Sequence, residues 1–88
     1  MQLIINSYGA YVHVKDELFE VTLTKDGEKQ KSHFASQKVT SILMSKGSAL
    51  STDAVILTMK NNIDIIVFER DGMPVGRFWH SKPGSTSK

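Results

Sequence analysis

Apolar and polar residues alternate through much of the first half of the chain. Val12 and Val14 flank His13, and residues 19–23 repeat the alternation with a phenylalanine, a valine and a leucine. A period of two is typical of a β-strand with one buried face. Together with a short apolar run at the start, the pattern predicts a β-meander with strands near residues 3–5, 10–14, 19–23, 29–35 and 39–44.

Two Asp-Gly pairs punctuate this pattern, Asp26-Gly27 and Asp71-Gly72. Each pair predicts a β-hairpin, because both central residues of the tight turn must tolerate positive φ. Asp16 and Glu17 form a polar break between the two alternating runs. The polar side chains at positions 29, 31 and 33 predict an edge strand or a solvated face, since charges there oppose edge-to-edge association.

An apolar stripe at helical spacing follows residue 50. Ser51 or Thr52 can cap the N-terminus of a helix, Asp53 falls in its first turn, and Asn61 with Asn62 is a plausible C-terminal stop. A buried strand is predicted after this helix at 63–68, and a final strand at 75–79. The predicted fold class is mainly β (α+β), a small β-sandwich of two antiparallel sheets with one short helix at about residues 51–61.

Composition changes this picture mainly at the C-terminal end. Cysteine is absent, which excludes a disulfide framework and a thiol nucleophile. The formal net charge is only +2, but residues 72–88 carry three basic residues and no acidic one. From residue 81 onward the chain is rich in Ser, Lys, Pro and Gly, which is linker chemistry. We therefore predict a β-sandwich domain over residues 1–80 and the start of a linker over residues 81–88.

Candidate catalytic groups are sparse in this sequence. His13 and His33 can meet on facing strands, but two histidines make half of a zinc site, and His80 is distant in sequence. Glu69 and Asp71 bracket a turn and could hold a hydrated magnesium ion, although turn carboxylates more often serve the turn itself. We assign no catalytic, cofactor-binding or metal-binding residue in this chain.

Signals for nucleic-acid binding are stronger than those for catalysis. Tyr8 stands beside Gly9 in a predicted turn, where an aromatic ring can stack on a base or fold over the edge of the sandwich. Arg77 and Trp79 lie on one face of the last predicted strand. Arg77 can contact a phosphate with two hydrogen bonds. Trp79 is expected in the core or in an interface, because its ring is a large share of the apolar area of a small domain.

Three segments, taken in order, resemble one known family. They are residues 4–12 (IINSYGAYV), residues 42–55 (ILMSKGSALSTDAV) and residues 62–68 (NIDIIVF) followed by Gly72, Pro74 and Gly76-Arg77. In this order they resemble the start of CRISPR-associated protein one, the spacer-acquisition endonuclease and integrase of prokaryotic antiviral defence. The resemblance covers nearly the whole chain.

The resemblance implies an amino-terminal β-sandwich joined by a linker to a larger helical catalytic domain. The family's Glu, His and Asp metal ligands belong to that helical domain, and the matching positions lie beyond Lys88. The magnesium or manganese cofactor is therefore expected there, and this chain alone is expected to be inactive as a DNA nuclease. None of its own histidines or carboxylates matches the family's metal motif.

The resemblance also implies partners and binding residues. It predicts a homodimer formed through the β-domain, a smaller CRISPR-associated adaptation protein as partner, and double-stranded DNA, both prespacer and CRISPR repeat. Some relatives bracket the end of the duplex with a tyrosine in the turn that matches Tyr8. Lys46 and Arg77 are predicted to contact the DNA backbone. A cytoplasmic prokaryotic protein with no membrane partner is expected.

Two other interpretations remain open from the residues alone. The chain can be a free-standing β interaction module that binds a protein or a peptide. It can also be a complete small nuclease, although the sequence offers no convergent acid cluster for that role. Magnesium-dependent cleavage by the purified chain would indicate the nuclease.

Overall fold

A computed structural model of the chain describes residues 1–69 and 74–78. Strands account for most of these residues, and a short 3-10 turn, Ser36–Lys38, follows the fourth strand. In chain order the strands and the helix are β1 (Gln2–Ile5), β2 (Tyr11–Lys15), β3 (Leu18–Lys25), β4 (Glu28–Ala35), β5 (Ser41–Ser45), β6 (Ala49–Leu50), α1 (Thr52–Lys60), β7 (Asp64–Phe68) and β8 (Pro74–Phe78).

The strands form two four-stranded sheets. The first has the order β1-β5-β7-β8 and the second has the order β4-β3-β2-β6. The predicted class, a small α+β sandwich with one helix, is confirmed. The prediction that both sheets are antiparallel is wrong, because β1, β5 and β7 are parallel neighbours and β2 pairs with β6 in parallel.

The parallel pairs follow from the path of the chain. Parallel neighbours require a crossover connection, whereas antiparallel neighbours need only a tight turn. Between β1 and β5 the chain builds three strands of the second sheet, and between β5 and β7 it passes through β6 and α1. The alternation of apolar residues reports which face of a strand is buried, and it carries no information on strand direction.

Two tight hairpins organise the second sheet. Strands β3 and β4 pair over eight positions from Leu18–Ala35 to Lys25–Glu28, around the predicted turn in which Asp26 and Gly27 have φ of 54° and 79°. The Asp16–Glu17 break is a second two-residue hairpin turn, with φ of 54° and 66°. Positive φ at both positions matches the right-handed twist of the flanking strands. The predicted Asp71-Gly72 turn lies outside the described residues.

The single helix forms where the sequence predicts it. The Ser51 side chain accepts a hydrogen bond from the Ala54 backbone N–H at 3.2 Å, which caps the helix, and Asn61 caps its other end. The helix buries Ala54, Leu57 and Thr58. No helix within residues 1–69 is long and apolar enough to cross a membrane.

The core lies between the two sheets. Both sheets and the loop after α1 contribute to it, and its most buried large apolar side chains are those of Val12, Phe19, Ile42, Ile63 and Ile65. Strand β1 adds Leu3 and Ile5 from the edge of the first sheet. Trp79, which we expected in the core or in an interface, lies outside the described residues.

Candidate nucleic-acid interface

Two of the three predicted binding residues lie in loops at the same end of the first sheet. Because β1, β5 and β7 run in the same direction, the C-terminal ends of these strands lie together at that end. These strands end at Ile5, Ser45 and Phe68. The residues that follow include Tyr8 after β1 and Lys46 after β5.

The loop between β1 and β2 is a compact turn that exposes Tyr8. The backbone N–H of Ala10 donates to the Ser7 carbonyl at 3.1 Å and closes the turn around Tyr8 and Gly9. Gly9 has a φ of 81°, a conformation that L side chains rarely adopt. Tyr8 is 72% exposed.

The loop between β5 and β6 is fixed from both sides. The Ser48 hydroxyl donates to the Ser45 carbonyl at 2.7 Å, and the Lys46 backbone N–H donates to the Phe68 carbonyl at 2.9 Å. The Gly9 N–H then donates to the Gly47 carbonyl at 2.9 Å and joins this loop to the Tyr8 turn. The two loops therefore form one hydrogen-bonded unit.

The Tyr8 ring lies directly against Gly47. A Cβ built on Gly47 would fall 2.4 Å from Cδ1 and 2.7 Å from Cε1 of Tyr8, closer than real contacts allow. Gly47 also has a φ of 98°. Only glycine fits this position, because the backbone conformation disfavours L side chains and because the Tyr8 ring occupies the space of a Cβ. We name Tyr8, Lys46 and Gly47 the tyrosine platform.

Lys46 supplies the positive charge of this platform. Its side chain is 71% exposed, and Nζ lies 3.9 Å from Oε1 of Glu69, which is itself 45% exposed. An exposed pair at this distance is weak and easily exchanged for another anion. The Lys46 ammonium is therefore exposed, and its contact with Glu69 is weak.

The third predicted residue, Arg77, is not in either loop. Its backbone lies on β8 opposite Ile66, two residues before the end of β7 at Phe68. Its side chain lies outside the described residues, and so does Asp71, the second carboxylate of the magnesium hypothesis. Within residues 1–69, no group of three His, Asp or Glu side chains is arranged to hold a metal ion.

A buried carboxylate joins the two histidines on the second sheet. Glu20 is 2% exposed, and its two oxygens are hydrogen-bonded to Nε2 of His13 and, at 2.8 Å, to Nε2 of His33. Since a carboxylate only accepts, each imidazole donates. We predicted that the two histidines can meet on facing strands, but they meet through Glu20 on the strand between them. The alternation around Phe19 and Val21 gave Glu20 a solvent-facing position and no sign of burial.

The pKa of Glu20 reflects two opposing effects. Burial raises the pKa of this carboxyl group, but the hydrogen bonds from His33 and His13 and the positive charge of Lys31 lower it by more. The pKa therefore lies below its ordinary value of 4.5. The ionised carboxylate is the form that the fold stabilises.

A lowered pKa makes stability depend on pH in a defined direction. The contribution of Glu20 is fully present above its unfolded-state pKa of about 4.5, and it is lost as the pH falls through the folded-state value. We expect Glu20→Gln to flatten the loss of stability below about pH 4.5, measured by urea unfolding over a pH series. Glu28→Gln removes an exposed carboxylate from the same hairpin and serves as the control. Equal acid sensitivity of wild type and Glu20→Gln would contradict this role.

Comparison with known proteins identifies the family of this chain. The model of the family described as CRISPR associated protein Cas1 matches residues 3–88. The chain belongs to the Cas1 family. CRISPR-associated endonuclease Cas1 1 of Archaeoglobus fulgidus is 26% identical over 85 residues, which cover 97% of this chain and 24% of that relative. The resemblance that we noted in the three ordered segments is thereby confirmed.

Solved structures share the Cas1-type fold of these residues. A partial Cas6-RT-Cas1–Cas2 complex contains a chain that is 12% identical, with a TM-score of 0.76, over 94% of this chain and 24% of that chain. A TtCas1–DNA complex contains a chain that is 13% identical, with a TM-score of 0.62, over 97% of this chain and 28% of that chain. The Cas1-family chain thus spans about a quarter of the length of these relatives.

Proposed function

We propose that this chain is the amino-terminal dimerisation and DNA-positioning domain of a CRISPR spacer-acquisition integrase. Membership in the Cas1 family supports the proposal, and so does the likeness of its fold to a Cas1–Cas2 complex and to a Cas1–DNA complex. The substrate is double-stranded DNA, prespacer and CRISPR repeat. The proposed protein partner is the smaller adaptation protein Cas2.

The tyrosine platform is the observation that carries the DNA-positioning role. Tyr8 is 72% exposed, and its ring lies against a glycine, so it presents a flat apolar surface at low entropic cost. Such a ring can stack on the terminal base pair of a duplex, because every base has a π-face. Lys46, in the loop that is hydrogen-bonded to the Tyr8 turn, would then contact the backbone of the same duplex. The platform marks the position of a DNA end without reading its sequence.

Chemistry is assigned to the helical domain of the parent protein. The magnesium- or manganese-dependent cutting and joining of DNA would be carried out there, and the β-domain would hold the duplex and the second protomer. The proposal gives Tyr8, Lys46 and Arg77 roles in binding only. It predicts no metal-dependent cleavage by these 88 residues alone.

Replacing Tyr8 tests the DNA-positioning role. Tyr8→Ala is expected to weaken binding of a short labelled duplex by about 5- to 150-fold, the equivalent of about 1–3 kcal/mol for one stacked base. Tyr8→Phe keeps the ring and is expected to bind nearly as well as wild type. Fluorescence anisotropy at low salt measures both. Unchanged binding by Tyr8→Ala would remove Tyr8 from the interface.

The dimerisation role has its own test. A closed two-fold homodimer is the commonest symmetric assembly, and each protomer then presents the same surface to its partner. We expect light scattering to give twice the monomer mass at high micromolar concentration. A monomer at every concentration would contradict the dimer and leave the tyrosine platform to be judged by its own experiment.

A further inference from the structure

The outer face of the second sheet carries a cluster of basic side chains. Residues directly opposite each other on antiparallel strands share a face, so Lys31 beside Thr22 and Lys29 beside Thr24 lie on the same side as Glu20. The neighbouring positions Phe19 and Val21 point into the core. We call this surface the lysine face, and it consists of Tyr11, His13, Lys15, Leu18, Glu20, Thr22, Thr24, Lys29, Lys31, His33 and Ala35.

The negative charge of the lysine face is concealed. Glu20 is its single acidic member, and the carboxylate is 2% exposed with both oxygens occupied by His13 and His33. An anion that approaches the face therefore meets imidazole rings and ammonium groups and no exposed carboxylate. The imidazole rings of His13 and His33 lie between the Glu20 carboxylate and solvent.

The lysines of this face remain available to a ligand. Lys29 and Lys31 are exposed, and neither forms a salt bridge with another residue within residues 1–69. Lys29, Lys31 and His33 occupy alternate positions of the edge strand β4, so they form a row with a repeat of about 6.6 Å. The acidic residues of the two hairpins, Asp16, Glu17, Asp26 and Glu28, lie at or next to the turns at the two ends of these strands.

We infer that the lysine face binds the phosphodiester backbone of a nucleic acid. A row of exposed cations with hydroxyl groups beside it suits a linear polyanion, and the acidic ends of the strands keep that polyanion over the middle of the sheet. The contacts are to phosphates and carry no base sequence. The inference rests on the proposed function, because it adds a second stretch of backbone contact to the nucleic acid held at the tyrosine platform.

The connection between the two surfaces is short in the chain. Tyr11 begins β2 on the lysine face and follows Tyr8 by three residues. Its ring stacks on His13, with the ring centroids 5.1 Å apart, and is 41% exposed. A nucleic-acid backbone that leaves the tyrosine platform toward β2 therefore reaches Tyr11 first. It reaches the two lysines of β4 only after crossing β3, where Thr22 lies between Tyr11 and Lys31.

Neutralising the row of lysines tests the inference. We compare the double variant Lys29→Gln/Lys31→Gln with Lys25→Gln/Lys60→Gln, which removes the same charge from other exposed positions. Binding of a labelled duplex and of a labelled single strand is measured between about 50 and 200 mM salt. The first variant is expected to bind roughly an order of magnitude more weakly at low salt, and its salt slope is expected to fall by about 1 per lysine. The larger effect on one of the two probes identifies that form of DNA as the occupant.

The two double variants and Tyr8→Ala together separate DNA binding by the lysine face from DNA binding by the tyrosine platform. Equal loss in the two double variants would show a general effect of net charge and would overturn the lysine face. Equal, lysine-dependent binding of a polyglutamate peptide would assign the face to an acidic protein and would also overturn it. Failure of wild type to bind any DNA would contradict the proposed function itself, whereas an effect of Tyr8→Ala without an effect of Lys29→Gln/Lys31→Gln would contradict only this inference.

Discussion

Gly47→Ala is expected to displace the Tyr8 ring and to weaken duplex binding about as strongly as Tyr8→Ala, by about 5- to 150-fold. The added Cβ would lie 2.4 Å from the ring, so the ring must leave its position. The φ of 98° adds a backbone cost of about 1–2 kcal/mol for any L side chain. The variant should therefore lose both stability and DNA affinity.

A matched glycine separates these two effects. Gly27 has a φ of 79° and no atom within 4 Å of an added Cβ, so Gly27→Ala carries the backbone cost without the clash. We expect both alanine variants to lose stability in urea unfolding, and only Gly47→Ala to lose DNA affinity. In a Tyr8→Ala background, Gly47→Ala should have little further effect on binding. Full DNA affinity of Gly47→Ala in the wild-type background would show that the ring position does not matter.

Phe19→Ala is expected to lower the free energy of unfolding by about 3–5 kcal/mol. Phe19 is fully buried and lies on β3, between β2 and β4, so its removal leaves a cavity between the sheets. The whole stability of a small domain is about 5–15 kcal/mol, and this variant is expected to approach the unfolding threshold. Equilibrium urea unfolding, followed by circular dichroism, gives the value.

An exposed apolar residue provides the control for Phe19. Ile56 on α1 is 50% exposed, and Ile56→Ala should change stability by about 0.5 kcal/mol or less. A loss below about 1 kcal/mol in Phe19→Ala would contradict the placement of this ring in the core. Equal losses in Phe19→Ala and Ile56→Ala would contradict the assigned difference in burial.

Local features of the sequence predicted local structure well. Asp26-Gly27 indicated its hairpin because two residues set the backbone angles of the turn. Ser51 and Asn61 indicated the helix ends because capping acts over a single turn. The direction of neighbouring strands could not be predicted, since it depends on which sheet each strand joins. The two-residue strand β6 was missed because it is too short to show a period.

In the candidate sites, too, features set by neighbouring residues were predictable and contacts between distant residues were not. The exposure of Tyr8 was predictable from the adjacent glycine, but its contact with Gly47 joins residues 39 positions apart. A lysine and a glycine after a buried strand were the only local signal for the second loop. The burial of Glu20 could not be predicted from the sequence, because the alternation of apolar residues places this position on the solvent-facing side of the strand. Two histidines from neighbouring strands cover it, and this requires the strand register.

Closing the ends of a DNA duplex tests whether the tyrosine platform holds a duplex end. The affinity of the chain is measured for a short duplex with open ends and for the same duplex with both ends closed by hairpin loops. We predict tighter binding of the open duplex by wild type, because Tyr8 stacks on the terminal base pair, and loss of that preference in Tyr8→Ala. Equal affinity of wild type for the open and the closed duplex would show that the tyrosine platform does not hold a duplex end.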